Sequence, residues 1–280
     1  MRSRLFIAVA ATMFVDSLLY LTVVPLLPWY AERYDLSKLG AAVLLAGYPV
    51  TFLLVTVPAG WLAGRLGARR VVIAGGVFFI AATVLFAWGP NAEAIVAARF
   101  LQGVGGGIGW GAAMAWLTGN TPPERRSRVI GGISGVLAAG AVAGPVVGAL
   151  AGAFSPGIVF SLLALLAVAA LAIVIASPAG AELPRDPALH TTIGRLLRHP
   201  LVLASLAFAL ADAMGVAAVD LLAPLQLGAN GVSPTAIGIA IAIGAGIGIV
   251  AAQVAGRVGE RVGSFPVAIV GGLGMGIVPA

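Results

Sequence analysis

The chain has 280 residues, 60% of them hydrophobic and only 9% charged, whereas an ordinary soluble domain carries about a quarter charged residues. That much apolar surface excludes a water-soluble fold, and the absence of cysteine excludes disulfides, thiolate metal sites and cysteine nucleophiles. The net charge of +6 does not indicate nucleic acid, because no contiguous basic face with interleaved aromatics is present; arginines gathering in loops on one side of a membrane account for it.

Apolar stretches fall at 5–28, 40–63, 71–88, 92–117, 129–152, 157–177, 200–227 and 235–256, with a ninth beginning near Phe265. Each is close to the roughly 20 residues that cross about 30 Å of hydrocarbon as a helix. The fold class is therefore all-α, a polytopic membrane protein. The first stretch comes after Met1-Arg2-Ser3-Arg4 and reaches Pro28, beyond the roughly 7–15 apolar residues of a signal peptide, so it is read as a retained helix. It carries Asp16, about 16 Å in from Leu5 and close to mid-membrane.

The fourth stretch contains Arg99-Phe100-Leu101-Gln102-Gly103. A guanidinium in hydrocarbon costs about 2.5–3.5 kcal/mol on insertion scales, so Arg99 must face protein, water or an acid, and Gln102 shares its helix face. Trp110 and Trp116 are expected near the outer end of this helix as interfacial anchors, the alternative being that they line a pathway for aromatic cations. In the fifth stretch, Gly140, Gly144 and Gly148 recur every fourth residue beside Pro145. They clear one face for close helix packing, with the proline bending the helix.

Between Ser177 and Pro200 lies the longest polar segment, which ends in Gly194-Arg195-Leu196-Leu197-Arg198-His199. The seventh stretch then carries Asp212 and Asp220, within about 80° of each other around a helix. Three intramembrane acids against one arginine cannot all be paired as ions, so some of them should exchange protons.

Shifting the sequence by 196 residues aligns Asp16 with Asp212, Pro28 with Pro224, Ser37 with Ser233, Gly60 with Gly256, Arg65 with Arg261 and Gly67 with Gly263. The register matches acids, helix-ending prolines and a loop motif at once, which points to an internal duplication. Two equal halves would run well past residue 280, so the expected whole is longer than this chain. With the N-terminus cytoplasmic, thirteen arginines fall on that side and only Arg33 and Lys38 on the other, leaving Arg99 inside the membrane.

The loop motif reads Gly60-Trp61-Leu62-Ala63-Gly64-Arg65-Leu66-Gly67-Ala68-Arg69-Arg70, and its copy Gly256-Arg257-Val258-Gly259-Glu260-Arg261-Val262-Gly263. Both resemble the G-x-L-A-D-R-x-G-R-K signature of the major facilitator superfamily. Gly64 stands where the family has an acid and Ala68 where it has a basic residue, while Glu260 keeps the acid in the copy. Arg99 to Gly103 looks like the family's R-x-x-Q-G signature. Gly140 to Gly148 resembles G-x-x-x-G-P-x-x-G of its antiporter branch. The first stretch is similar to the first helix of vesicular monoamine transporters and bacterial multidrug antiporters, without the long insertion that comes after it in the vesicular proteins.

This resemblance implies two six-helix halves: residues 1–177, a cytoplasmic linker 178–199, and the start of the second half at 200–280. It implies secondary active transport, a proton-coupled antiporter exporting hydrophobic or cationic small molecules, with a site between the halves near mid-membrane. Asp16, Arg99, Gln102, Asp212 and Asp220 would bind substrate and proton, with Arg99 the partner of the acids. Gly60, Arg65, Gly67, Arg69, Gly256, Glu260, Arg261 and Gly263 would form the conformational loops, and Gly140, Gly144, Pro145 and Gly148 the packing motif. No metal and no cofactor beyond the proton is expected, and no enzyme activity, since neither a nucleotide loop nor a hydrolytic triad is present. The expected partners are a small-molecule substrate and membrane lipid but no nucleic acid, for a monomer in the bacterial cytoplasmic membrane. A facilitator or symporter of a neutral or anionic metabolite would share this fold, and a truncated chain without transport is a third reading.

Overall fold

A computed structural model describes residues 2–180 and 198–262, and every regular element among them is helical. Helix α1 spans Arg2–Thr22, followed by a 3-10 turn at Val24–Leu26 and a short helix α2 at Leu27–Arg33. Pro25 explains the interruption, since it has no N–H to donate and its ring crowds the preceding turn. Helix α3 covers Lys38–Leu66, α4 Ala68–Trp88, α5 Ala92–Gly119, α6 Pro123–Ala153, α7 Pro156–Ala176, α8 Pro200–Ala229 and α9 Pro234–Val262. The linker between 181 and 197 and the ninth apolar stretch near Phe265 lie outside the described residues.

The 196-residue register extends to backbone detail. Helix α9 has the bounds of α3 plus 196, and α8 ends at Ala229 as α2 ends at Arg33. After α2 the amide of Leu36 donates to the carbonyl of Ala31 at 2.8 Å and that of Asp35 to Glu32 at 3.4 Å; after α8 the amide of Val232 donates to Leu227 at 3.0 Å and that of Gly231 to Gly228 at 2.9 Å. These are matching Schellman ends, each closed by a left-handed residue, Asp35 at φ 48° and Gly231 at φ 78°. Ser37 and Ser233 then cap the next helix, their hydroxyls accepting from the amides of Gly40 and Ala236. The prolines behave differently from the expectation. Pro28 lies in the first turn of α2, and Pro224 lies inside α8, which continues to Ala229; α8 has Leu221 where the first half has Pro25, so nothing interrupts it.

Among the described residues, 2–180 with 224–242 form one compact unit, and 198–223 with 243–262 belong to a second. Among the described residues, six stretches are long and apolar enough to cross a membrane: 4–33, 38–66, 68–88, 123–153, 156–176 and 234–255. Exposed apolar side chains cover their outer faces, with Leu53 72% and Leu165 63% exposed, as a lipid-facing surface requires. Helix α5 is as long as its neighbours but is not in this set. It buries Arg99, Gln102 and a run of glycines against α3 and α4, and an inner helix shielded by others need not be apolar all round.

Small residues decide the packing in the first unit. A Cβ at Gly103 would meet the carbonyl of Tyr48, one at Gly107 would lie 2.6 Å from that of Phe52, and one at Gly111 would meet that of Thr56, so α5 lies directly on the backbone of α3. Gly140, Gly144 and Gly148 do the same for α6 on α1, facing Ser17, Leu18 and Thr22. Pro145 lies within α6, which runs on to Ala153. The start of α9 closes on the far side of α6: Gly238 approaches the Pro145 carbonyl, and the Thr235 hydroxyl donates to the carbonyl of Ala149 at 3.3 Å.

Candidate functional site

Asp16 projects from α1 as one of the few charges inside the bundle. The hydroxyl of Tyr48 on α3 donates to its Oδ1. Two features hold Tyr48 in place. One turn on, the Thr51 hydroxyl donates to the Phe100 carbonyl of α5 at 2.7 Å, fixing the register of α3 against α5. Opposite the pair stands Gly106, where a Cβ would lie 2.5 Å from both Asp16 Oδ1 and the Tyr48 hydroxyl. The hydrogen bond exists because this position has no side chain.

Arg99 is fully buried one layer away. Its Nη1 donates to Gln102 Oε1 at 3.1 Å, Gln102 Nε2 donates to the Thr83 hydroxyl at 3.2 Å, and that hydroxyl donates to the Phe79 carbonyl at 2.8 Å. Every donor in this chain points the same way, so the bonds polarise one another. The guanidinium also faces the rings of Tyr48, Tyr20 and Phe86, at 5.1, 5.6 and 5.7 Å from their centres, contacts worth about 2 kcal/mol when desolvated. Arg99 Nε and Nη2 are buried without a hydrogen-bond partner.

The sequence placed Asp16, Arg99 and Gln102 together, and the structure does bring them into one cluster. It corrects the pairing: Arg99 makes no ion pair with Asp16, and the Tyr48 ring and hydroxyl connect the two. Asp220 is half-buried on α8 in the second unit. Asp212 lies on the same helix, its side chain outside the described residues, and the cluster is built without either.

A model of the Major Facilitator Superfamily matches residues 5–280. The chain belongs to that family. It is similar to the MFS-type transporter ppzB of Metarhizium rileyi, 31% identical over 143 residues, covering 49% of this chain and 30% of the relative. It is also similar to the methylenomycin A resistance protein of Streptomyces coelicolor, 35% identical over 147 residues, covering 51% and 31%, and to the quinolone resistance protein NorA of Staphylococcus aureus, 24% identical, covering 44% and 32%. The match thus spans about a third of each curated relative. Among solved structures, a bacterial homologue of the human lysosomal transporter Spinster, inward-facing, has a TM-score of 0.76 at 16% identity, covering 93% of this chain and 63% of that one. A D-xylose–proton symporter has a TM-score of 0.62 at 17% identity, covering 93% and 69%.

The facilitator-family loop motif is more helical than expected. Of Gly60 to Arg70 only Gly67 leaves the helices, at φ 91°, because one left-handed glycine suffices to turn the chain from α3 into α4. Gly60 lies in contact with the backbone of Gly111. Arg65 stacks on Trp61, 3.8 Å from the ring centre. Arg69 ties the start of α4 to α7, its Nε donating to the Val174 carbonyl at 3.3 Å and its Nη2 to that of Ile175. It thereby binds the open carbonyl end of α7, where a cation is favoured. In the copy, Gly256, Glu260 and Arg261 lie within α9, their side chains outside the described residues, as is Gly263 altogether.

The tryptophan expectation fails for Trp116. Trp116 is fully buried, and its Nε1 donates to the Ala179 carbonyl beyond α7 at 2.7 Å; it therefore stands at the arginine-bearing end, because α5 runs toward Arg125 and Arg126. Sequence reasoning missed Tyr48, Tyr20, Thr83, Phe86 and Gly106. Tyr20 was legible, four residues after Asp16 and so on its face; the others depend on which helices touch.

Proposed function

We propose that the complete protein is a proton-coupled antiporter exporting hydrophobic or cationic small molecules across the bacterial cytoplasmic membrane, with its N-terminus cytoplasmic. The observation that carries this reading is the carboxylate of Asp16, held by the Tyr48 hydroxyl inside the first unit among aromatic rings. A lipophilic cation and a proton would compete for such a group, and rings such as Tyr20 and Tyr48 suit the cation's apolar body. Tyr48 would stabilise the ionised carboxylate after either leaves, and the Arg99–Gln102–Thr83 chain would fix the wall behind it. Asp212 and Asp220 would be further titratable groups. The resistance proteins among the relatives support export. No cofactor beyond the proton is required, and the working form would be a monomer in lipid.

The test is proton-gradient-driven efflux of ethidium from cells or inverted vesicles holding the full-length protein. Asp16→Asn, a permanent mimic of the protonated acid, should abolish gradient-driven efflux, and Asp16→Glu should retain part of it. Full coupled efflux by a correctly inserted Asp16→Asn variant would overturn the assignment. A symporter or facilitator of a neutral or anionic metabolite is the second reading, favoured by the two unpaired donors of Arg99; it requires that the full-length protein show no uncoupler-sensitive efflux of ethidium.

A further inference from the structure

Asp16 has a second neighbour that the substrate reading does not use. Helices α1, α4, α5 and α7 line a partly open cavity of about 40 Å³, bordered by Asp16, Thr12, Gly76, Gly109, Trp110 and Leu171 among others. One water needs roughly 10–15 Å³ of such space and a few polar partners. The partners are present. Asp16 uses Oδ1 for Tyr48, and its other carboxylate oxygen takes no protein hydrogen bond and is not among the sealed polar atoms, both of which belong to Arg99. Thr12 offers a hydroxyl oxygen whose proton is committed to the Ala8 carbonyl at 2.7 Å, and Trp110 an indole N–H.

The cavity also has a direction. From Asp16 it continues along α1 toward Thr12, along α5 toward Trp110, along α7 toward Leu171 and along α4 back to Gly76. Each of these steps leads to the end that carries Arg4, Arg69 and Arg125. The backbone fixes the levels, since a Cβ at Gly106 would touch Asp16, one at Gly75 would lie 2.6 Å from the Gly109 amide, and one at Gly76 3.0 Å from Leu171. The cavity thus covers about one helical turn, some 6 Å, on the arginine side of the acid. Among the described residues, Tyr48 from α3, Arg99 from α5 and Tyr20 on α1 itself are the titratable groups around Asp16. Gly76 and Phe79 of α4, Gly140 and Gly144 of α6, and Ala167 and Leu171 of α7 do not titrate.

We propose that this cavity holds water and is the first turn of the route by which protons pass from Asp16 toward the arginine-rich face inside the first unit, without passing the Tyr48 hydroxyl. The inference rests on the antiport reading, in which that face is cytoplasmic and the proton is released there. It separates the path of the proton from the side of Asp16 that Tyr48 and the aromatic rings occupy.

Gly109 provides the test, because it lines the cavity while a Cβ there would meet nothing within 4 Å. Gly109→Ala therefore narrows the cavity without a clash, and Gly109→Leu fills it. The readout is infrared spectroscopy of the whole chain in liposomes. The carboxylic C=O band of Asp16 is identified by its loss in Asp16→Asn, and its rate of deuterium exchange is timed from a switch to D₂O buffer. Gly109→Leu should slow exchange roughly tenfold or more, Gly109→Ala less, and Gly131→Ala, at another unobstructed glycine on α6, not at all. Tyr48→Phe should not slow it. Unchanged exchange in both Gly109 variants with helix content intact overturns the route, as does the absence of any Asp16 carboxylic band at every pH at which the helices persist. Loss of the antiport reading is distinguished by a different result, the absence of uncoupler-sensitive ethidium efflux by the full-length parent protein.

Discussion

Gly106→Ala should break the site while leaving its chemistry nominally present. The added methyl would lie 2.5 Å from both Asp16 Oδ1 and the Tyr48 hydroxyl, about an ångström inside ordinary contact, so the two groups must part. Overpacking costs about 1–3 kcal/mol, and losing a hydrogen bond to a charged group about 1.5–3 kcal/mol. The better helix propensity of alanine returns about 1 kcal/mol. The expected net loss is about 2–5 kcal/mol, against a neutral or slightly stabilising effect for Gly131→Ala, whose Cβ meets nothing. Unfolding by sodium dodecyl sulfate in mixed micelles, monitored by tryptophan fluorescence, measures both. The decisive control is Tyr48→Phe, which removes one of the two atoms the methyl strikes. In that background Gly106→Ala should cost about 1–2 kcal/mol less, a coupling typical of residues in contact. Strict additivity, or a Gly106→Ala protein as stable as Gly131→Ala, would refute the Asp16–Tyr48 geometry.

Arg99→Ala should destabilise by about 2–5 kcal/mol in the same titration, since it opens a cavity among Tyr20, Tyr48 and Phe86 and leaves Gln102 Oε1 without its donor; Arg99→Lys should lose less, and equal stability of the alanine variant and the parent would contradict the network. Gly144→Leu should cost about 3 kcal/mol, because its Cβ would already lie 2.8 Å from the Leu18 carbonyl and a larger side chain would lever α6 off the helix that carries Asp16. A wild-type unfolding midpoint for Gly144→Leu would show that the α1–α6 contact does not matter to the fold.

The helices and their ends are readable from sequence because each depends on local chemistry. Twenty apolar residues demand a helix across hydrocarbon, Ser37 and Ser233 cap the helices that begin beside them, and a residue tolerant of the left-handed region closes the helix before each. The duplication is visible for the same reason, as identical local signals recur at one offset. The facilitator loop is shorter in the fold than in the sequence pattern, because basic residues at a membrane boundary look like a loop whether or not the backbone stays helical. The prolines mislead in the opposite sense: Pro224 has the sequence context of an ending, yet α8 carries it inside, as α3 carries Pro49 and Pro58.

Asp16, Arg99 and Gln102 are singled out by the cost of polar groups in hydrocarbon, which is a property of the residues themselves and holds wherever the helices lie. Their partners are not of that kind. Tyr48, Thr83 and Phe86 lie 13 to 51 residues from Arg99 in sequence, and only the approach of α3 and α4 to the glycine-lined faces of α5 selects them. Residue chemistry and order alone required that charges be buried among membrane-spanning helices. Which group takes the Asp16 carboxylate is a matter of packing: the tyrosine hydroxyl reaches it and the arginine does not, because that choice depends on ångström-scale distances between helices, set by which positions have no side chain.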